Sequence, residues 1–376
     1  MPVVPPPSTD AADDPSHHPS GRIPLSIERN MNARALLPTH KPLLDFFRTS
    51  LSSFQSSSSS TPFSVICTLA PRPPRDSPAQ LLNHRILANP LPSPFPPVVA
   101  PPEKLVVLDS SFNPPSAAHL RMASDAVLFE LKNAGTDDKE REKVRLLLLL
   151  AVKNADKAAK PAPFEQRLAM MWAFARDVRT SLEETEQGGV NIDVALSTQP
   201  FFHEKSAAIA ASGFYRPGED RGGKEGDGKE AETEQVVLVG YDTLIRILDP
   251  KYYGPSGNET EAGSAGEAPI RKALDPFFKR ARLRVTMRTN DEWGGKDEQT
   301  AYVERLLKGE ELEKIGGDKA WAKRIELVHG RKEGEVVVSS TLAREAAKKK
   351  DWNRLEELVP GEVKKWIERE GLYGDA

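Results

Sequence analysis

The stretch Leu105–Ala123, reading LVVLDSSFNPPSAAHLRMA, constrains this chain more than any other. Leu105–Leu108 is apolar without alternation, the pattern of a strand buried on both faces of a parallel sheet. The chain then turns at Asp109-Ser110-Ser111 and passes through Asn113-Pro114-Pro115. Two prolines in a row forbid an earlier helix start, because each fixes φ and lacks an N–H. From Ala117 onward the spacing of Leu120, Ala123, Val127 and Leu128 predicts a helix. A strand that feeds a helix through a tight turn aims backbone N–H groups over the strand end, and phosphate suits that place. His119, in the first turn or so of the helix, can donate to a phosphoryl oxygen.

The same unit recurs along the chain. Val144–Val152 reads as a second buried strand, followed by Lys153, Lys157 and Lys160 at its carboxyl end, where open α/β sheets bind ligands. Phe164, Leu168, Met171, Trp172 and Ala175 then mark a helical stripe, with Met170, Met171 and Trp172 assigned to the core. Further strands are expected at Val190–Leu196, Val236–Val239, Leu283–Arg288, Ile325–Val328 and Val336–Val338. Strands alternating with helices give an α/β class with a Rossmann-like, mainly parallel sheet.

Residues 1–40 are expected to be a disordered tail, too poor in apolar surface to offset the entropy of ordering. Residues 41–102 read as an N-terminal extension that packs on the sheet edge without chemistry of its own. It comprises a helix with Leu43, Leu44, Phe47 and Leu51 on one side, a strand at Phe63–Leu69, and a proline-rich connection. Residues 103–376 form the main domain, with mobile surface insertions near 213–235 and 254–269, where glycine and charge dominate.

Composition excludes several function classes. With 38% hydrophobic and 28% charged residues, no run reaches the ~18 apolar residues of a membrane helix. A formal net charge of −3 gives no general attraction to nucleic acid. The acidic, proline-rich start lacks the features of a secretory signal, and Cys67 is the only cysteine, which excludes internal disulfides and cysteine zinc sites. The expected location is cytoplasmic, nuclear or both.

Two more strings carry chemistry. Gly240-Tyr241-Asp242-Thr243-Leu244 follows a short strand, so Asp242 can cap the next helix or accept from a ribose hydroxyl. Val338-Ser339-Ser340-Thr341-Leu342-Ala343-Arg344 opens another helix. There Ser339 or Ser340 can cap, while free N–H groups, hydroxyls and Arg344 face the crevice.

Together, SSFNPPSAAH, GYDTL and VSSTLAR resemble, in chain order, the phosphate-binding signatures of the nucleotidylyltransferase superfamily, and within it the nicotinamide mononucleotide adenylyltransferases. NADK…KP…F..RL narrows the resemblance to a fungal branch. It spans roughly residues 103–374. Ser110 stands where the family usually has Gly, Ser116 replaces the first His of its usual His-x-Gly-His tetrad, and Val338 stands for Ile. The resemblance implies transfer of the adenylyl group of ATP to nicotinamide mononucleotide by direct in-line displacement. ATP would be held by Ser110, Ser111 and Phe112 of the turn, by His119, by Asp242 at the ribose, and by Ser339, Ser340, Thr341 and Arg344. His119 and Arg344 would serve catalysis by binding the phosphates that leave as pyrophosphate. Lys157 and Lys160 would hold the acceptor phosphate. Phe201 or Phe202 would stack on nicotinamide, or else both pack a loop–core boundary, and His203 is equally open. Mg²⁺ would arrive with ATP, without a dedicated protein cage. Two rival readings remain: transfer to another phosphorylated acceptor, and an ATP-binding or ATP-hydrolysing factor with protein quality-control partners.

Overall fold

A computed structural model describes residues 40–57, 61–72, 92, 101–135, 141–152, 161–185, 189–216, 233–254, 268–287, 295–330 and 336–374. The elements run α1 (His40–Ser57), β1 (Phe63–Leu69), β2 (Lys104–Asp109), α2 (Ala117–Ala134), β3 (Val144–Ala151), α3 (Phe164–Glu183) and β4 (Asn191–Ser197). Next come α4 (Phe202–Ala211), β5 (Glu234–Gly240), α5 (Tyr241–Ile247), a 3₁₀ turn (Pro250–Tyr253), α6 (Pro269–Arg280) and β6 (Ala281–Thr286). The remainder is α7 (Lys296–Leu307), α8 (Glu310–Lys314), a second 3₁₀ turn (Lys319–Arg324), β7 (Ile325–Val328), α9 (Ser340–Lys348), α10 (Trp352–Leu358) and α11 (Gly361–Glu370).

The seven strands form one sheet in the order β1-β4-β3-β2-β5-β6-β7. β1 runs antiparallel to β4, and every other pair is parallel. From β2 the chain winds outward through β3 to β4, and from β5 it winds the other way through β6 to β7. The winding therefore reverses between β2 and β5, and the crevice above their carboxyl ends is where such sheets take ligands.

The central strands are largely apolar because both faces are covered. Val106, Leu108, Leu146, Leu148 and Leu238 point into a core shared with α1–α3 and α9–α11. Their neighbours Leu105, Val107, Leu147, Leu149 and Val237 point into a second core under α4–α8. Leu43 and Phe47 of α1 are fully buried in the first core, so the N-terminal segment is continuous with the main sheet on its β1 edge. No described helix is long and apolar enough to cross a membrane.

Several expectations change. Val336–Val338 is not a strand: Val336 and Val337 are exposed and pair with no described strand. α7 and α8 are divided at Gly309, whose φ of 84° an ordinary side chain resists. The start of the first insertion is anchored. Tyr215 is buried and donates to Asp193, which also takes Arg145 and Thr68, so β1, β3, β4 and the 213–216 turn share one buried network. The rest of that insertion (217–232), residues 255–267 of the second, the tail 1–39 and the lysines at 153, 157 and 160 lie outside the described residues.

Candidate active site

β2 delivers Asp109 and Ser110 to the crest of the sheet. Leu108 is the last β2 residue paired with β5, opposite Leu238, and the N–H of Ser110 then bonds the carbonyl of Leu149 in β3. The chain then reverses at Phe112, whose φ of 45° is left-handed and uncommon for an aromatic residue. Its ring is fully buried, tilted against Phe174 and His119 at 6.1 Å from each, and that packing holds the turn. Ser111 is exposed at the tip, and Asn113 to Ser116 are buried below it.

His119 is tied at both ring nitrogens. The backbone N–H of Ser116 donates to Nδ1 at 3.0 Å, and the Ser116 hydroxyl lies 2.8 Å from the same atom. A backbone N–H can only donate, so Nδ1 accepts and the neutral ring carries its proton on Nε2. Nε2 then donates to Ser110 Oγ at 3.0 Å. In this tautomer His119 cannot take the Ser110 proton, so the pair is no activated serine nucleophile. The Ser110 hydroxyl proton can instead turn toward an anion.

The start of α9 docks on this loop. Ser339 caps the helix by accepting from the N–H of Leu342 at 3.2 Å. Ser340 Oγ donates to the carbonyl of Pro114 at 2.8 Å. Arg344 donates to the carbonyl of Asn113 at 2.8 Å and to Thr341 Oγ1 at 3.0 Å. Both partners of Arg344 are neutral, and among the described residues no carboxylate pairs with it. The first and last of the three motifs, more than 200 residues apart in sequence, thus meet at one place.

Asp242 sits inside the first turn of α5, and Gly240 is the cap, so the capping role open in the sequence falls to Gly240. Asp242 faces Arg246 at 3.7 Å, above the end of β5 and beside the β2 turn. The aromatic pair divides. The Phe202 ring lies 5.1 Å from the Lys205 ammonium, which is buried and paired with Asp109 at 2.5 Å. Phe201 stacks on His203 at 5.8 Å with 16° between planes and tilts toward Tyr252 at 6.4 Å. Burial lowers the pKa of His203, with Arg280 adding to it and Glu204 opposing it. Lys205, which ties α4 to the crest of β2, was missed at sequence level, since a lysine four residues into a helix carries no signal of a partner nearly a hundred positions earlier.

No protein-family model matches the chain. A Schizosaccharomyces pombe protein with the provisional name nicotinamide mononucleotide adenylyltransferase is 31% identical over 259 residues, covering 69% of this chain and 82% of the relative. Among solved structures, a Plasmodium falciparum nicotinic acid mononucleotide adenylyltransferase complexed with APC covers 72% of this chain and 97% of its own, at 10% identity and a TM-score of 0.37. Thermotoga maritima TmcAL bound with alpha-thio ATP covers 71% and 56%, at 15% identity and a TM-score of 0.29. Overlaps this loose carry no argument. The yeast relative and the order of the three motifs on a doubly wound sheet do: the chain belongs to the nicotinamide mononucleotide adenylyltransferase family of the nucleotidylyltransferase superfamily.

Proposed function

We propose that the chain transfers the adenylyl group of ATP to nicotinamide mononucleotide, forming NAD and pyrophosphate. The observation that carries this reading is the docking of Ser340 and Arg344 onto the carbonyls of Pro114 and Asn113. It gathers hydroxyls, a helix start and a guanidinium that no described carboxylate neutralises around the turn at the carboxyl end of β2, a cradle for a triphosphate. An oxygen of the mononucleotide phosphate would attack the α-phosphorus in line. The bond from that phosphorus to the bridging oxygen of the β-phosphate breaks, and pyrophosphate leaves with the electron pair. Catalysis then consists of positioning and charge stabilisation, which phosphoryl chemistry chiefly requires.

In this reading the backbone at Ser111 and Phe112, the Ser110 hydroxyl backed by His119, and Ser339, Ser340, Thr341 and Arg344 hold the phosphates. Asp242 takes the ATP ribose. Mg²⁺ enters as the ATP complex, part of the substrate. Lys157 and Lys160 would meet the acceptor phosphate and Phe201 its pyridinium ring. The test is formation of NAD by the purified chain from Mg-ATP and nicotinamide mononucleotide, with pyrophosphate released in equal amount. ATP binding without NAD at any mononucleotide concentration overturns the reading. Pyrophosphate release with a different phosphorylated acceptor would point to one rival, and ADP formation without an acceptor to the ATP-hydrolysing one.

A further inference from the structure

Arg167 is a buried cation without a counter-charge among the described residues. It lies in the first turn of α3, and its Nε donates to the carbonyl of Ala162 at 2.8 Å. The guanidinium packs over the Phe164 ring at 5.0 Å. The residue is only 6% exposed, yet no described carboxylate pairs with it. Other buried arginines of this chain follow the usual rule: Arg145 is matched to Asp193 and Arg284 to Glu326. A buried charge left uncompensated is unfavourable, so an exception to that rule marks a place where an anion completes the structure.

The surroundings identify the anion. Met170, one turn along α3 from Arg167, touches the Tyr373 hydroxyl at 3.7 Å. That hydroxyl donates to Asn113 Oδ1, and the carbonyl of Asn113 takes Arg344. Burial lowers the pKa of Arg167, and the like charge of Arg344 lowers it further against a raising contribution from Tyr373. Arg167 and Arg344 thus sit on elements that both meet the Asn113 loop, α3 through Met170 and Tyr373 and α9 through Arg344 itself, near enough for their like charges to oppose each other.

We propose that Arg167 and Arg344 together form a two-arginine clamp for the pyrophosphoryl end of the nucleotide, with Arg167 as a second charged binding residue. The proposal rests on the adenylyl-transfer reading, which places a triphosphate on this loop. A planar fork on each side suits a dianionic or more highly charged diphosphate, whose oxygens accept in pairs.

The test uses inorganic pyrophosphate and the full chain. Wild type should gain thermal stability on titration with pyrophosphate. Arg167→Gln should melt within a few degrees of wild type without ligand, because no ion pair is lost. Its pyrophosphate affinity should fall by about tenfold or more, as expected for loss of a charge-assisted bidentate contact. Arg167→Lys, which keeps the charge but not the fork, should fall between the two. Wild-type affinity in the Gln variant overturns the clamp. If that variant does not fold, Arg167→Lys decides: a clear weakening of pyrophosphate supports the clamp and unchanged binding removes it. Arg344→Gln in the same titration separates the two claims. Loss of affinity there alone leaves adenylyl transfer standing without the clamp, and a wild type that binds neither pyrophosphate nor ATP removes both.

Discussion

Tyr373 and Asn113, 260 positions apart, are joined by a hydrogen bond of 2.9 Å from the phenolic hydroxyl to Oδ1. A turn at the end of α11 makes this possible. Gly371 takes a φ of 61°, its N–H bonds the carbonyl of Glu368, and the N–H of Leu372 bonds that of Ile367. This 5→2 and 6→1 pair reverses the chain and leaves Tyr373 pointing back at the phosphate loop. The turn that would hold ATP is thereby gripped from two sides, by α9 and by the segment after α11.

Tyr373→Phe keeps the ring and removes only the donor. Stability should fall by about 1 kcal/mol, the usual net worth of one such hydrogen bond. The KM for ATP should rise several-fold, because Asn113 also positions the carbonyl that takes Arg344. Denaturant melts and ATP-varied kinetics would check both, and an unchanged ATP KM would show that the grip has no bearing on the site.

His119 carries two separable duties, one through each ring nitrogen. Nδ1 serves the start of α2 by accepting from Ser116, and Nε2 faces Ser110. His119→Ala should therefore lower kcat by roughly 10²-fold, as for other lost preorganised donors, and also cost about 1 kcal/mol of stability through the lost helix-start bond. His119→Asn can retain the acceptor near the Nδ1 position. It should recover stability and leave kcat low. Equal kcat in wild type and both variants would remove His119 from the phosphate site.

Much of this arrangement was legible in the sequence because it is local. The apolar runs at Leu105–Leu108 and Val144–Val152 signal strands covered on both faces, and the prolines at 114 and 115 fix where α2 can begin. The motif strings carry their own backbone geometry, so a serine cap at Ser339 or Ser340 and the first-turn place of His119 follow from order and spacing, and the structure assigns the cap to Ser339. Long-range partners left no such trace. Nothing in the composition of α3 sets Arg167 apart from Arg176 or Arg179, and nothing near Lys205 names Asp109. Val336–Val338 misleads for the converse reason: β-branched residues favour a strand, but a strand also needs a neighbour.

Asp177 should give stability an unusual pH dependence. Its carboxylate, on α3, accepts from the backbone N–H groups of Glu362 and Val363 at the start of α11. Burial pushes its pKa up to about 7 from an ordinary 3.8, against the pull of those two donors and with Glu362 adding to the rise. A carboxyl raised on folding binds its proton more tightly in the native state. Its stabilising contribution is then complete below about pH 3.8 and is lost as pH rises through about 7. The slope is at most about 1.4 kcal/mol per pH unit inside that window. Asp177→Asn does not titrate, so the stability difference between wild type and this variant should shrink from pH 5 to pH 8. A constant difference would mean that the helix-start donors hold Asp177 ionised throughout.

The two phenylalanines at 201 and 202 should behave differently, although sequence alone made them equivalent. Phe202 lies against the Lys205 ammonium and packs on the second core, so Phe202→Ala removes a wall of the buried Lys205–Asp109 pair. That change should lower stability by about 1–3 kcal/mol, as for truncation of a partly buried aromatic side chain, and raise the KM of both substrates. Phe201 precedes α4 and leans only on His203 and Tyr252 among the described rings, so its face belongs to a small aromatic group beside the crest of the sheet. A flat ring there can meet a pyridinium with a cation–π gain of about 0.5–2 kcal/mol. Phe201→Ala should accordingly raise the KM for nicotinamide mononucleotide several-fold while the KM for ATP and the melting temperature hold. Steady-state kinetics with each substrate varied in turn, alongside a melt of each variant, decides the matter. A mononucleotide KM that moves with Phe202 and not with Phe201 would place the pyridinium ring elsewhere.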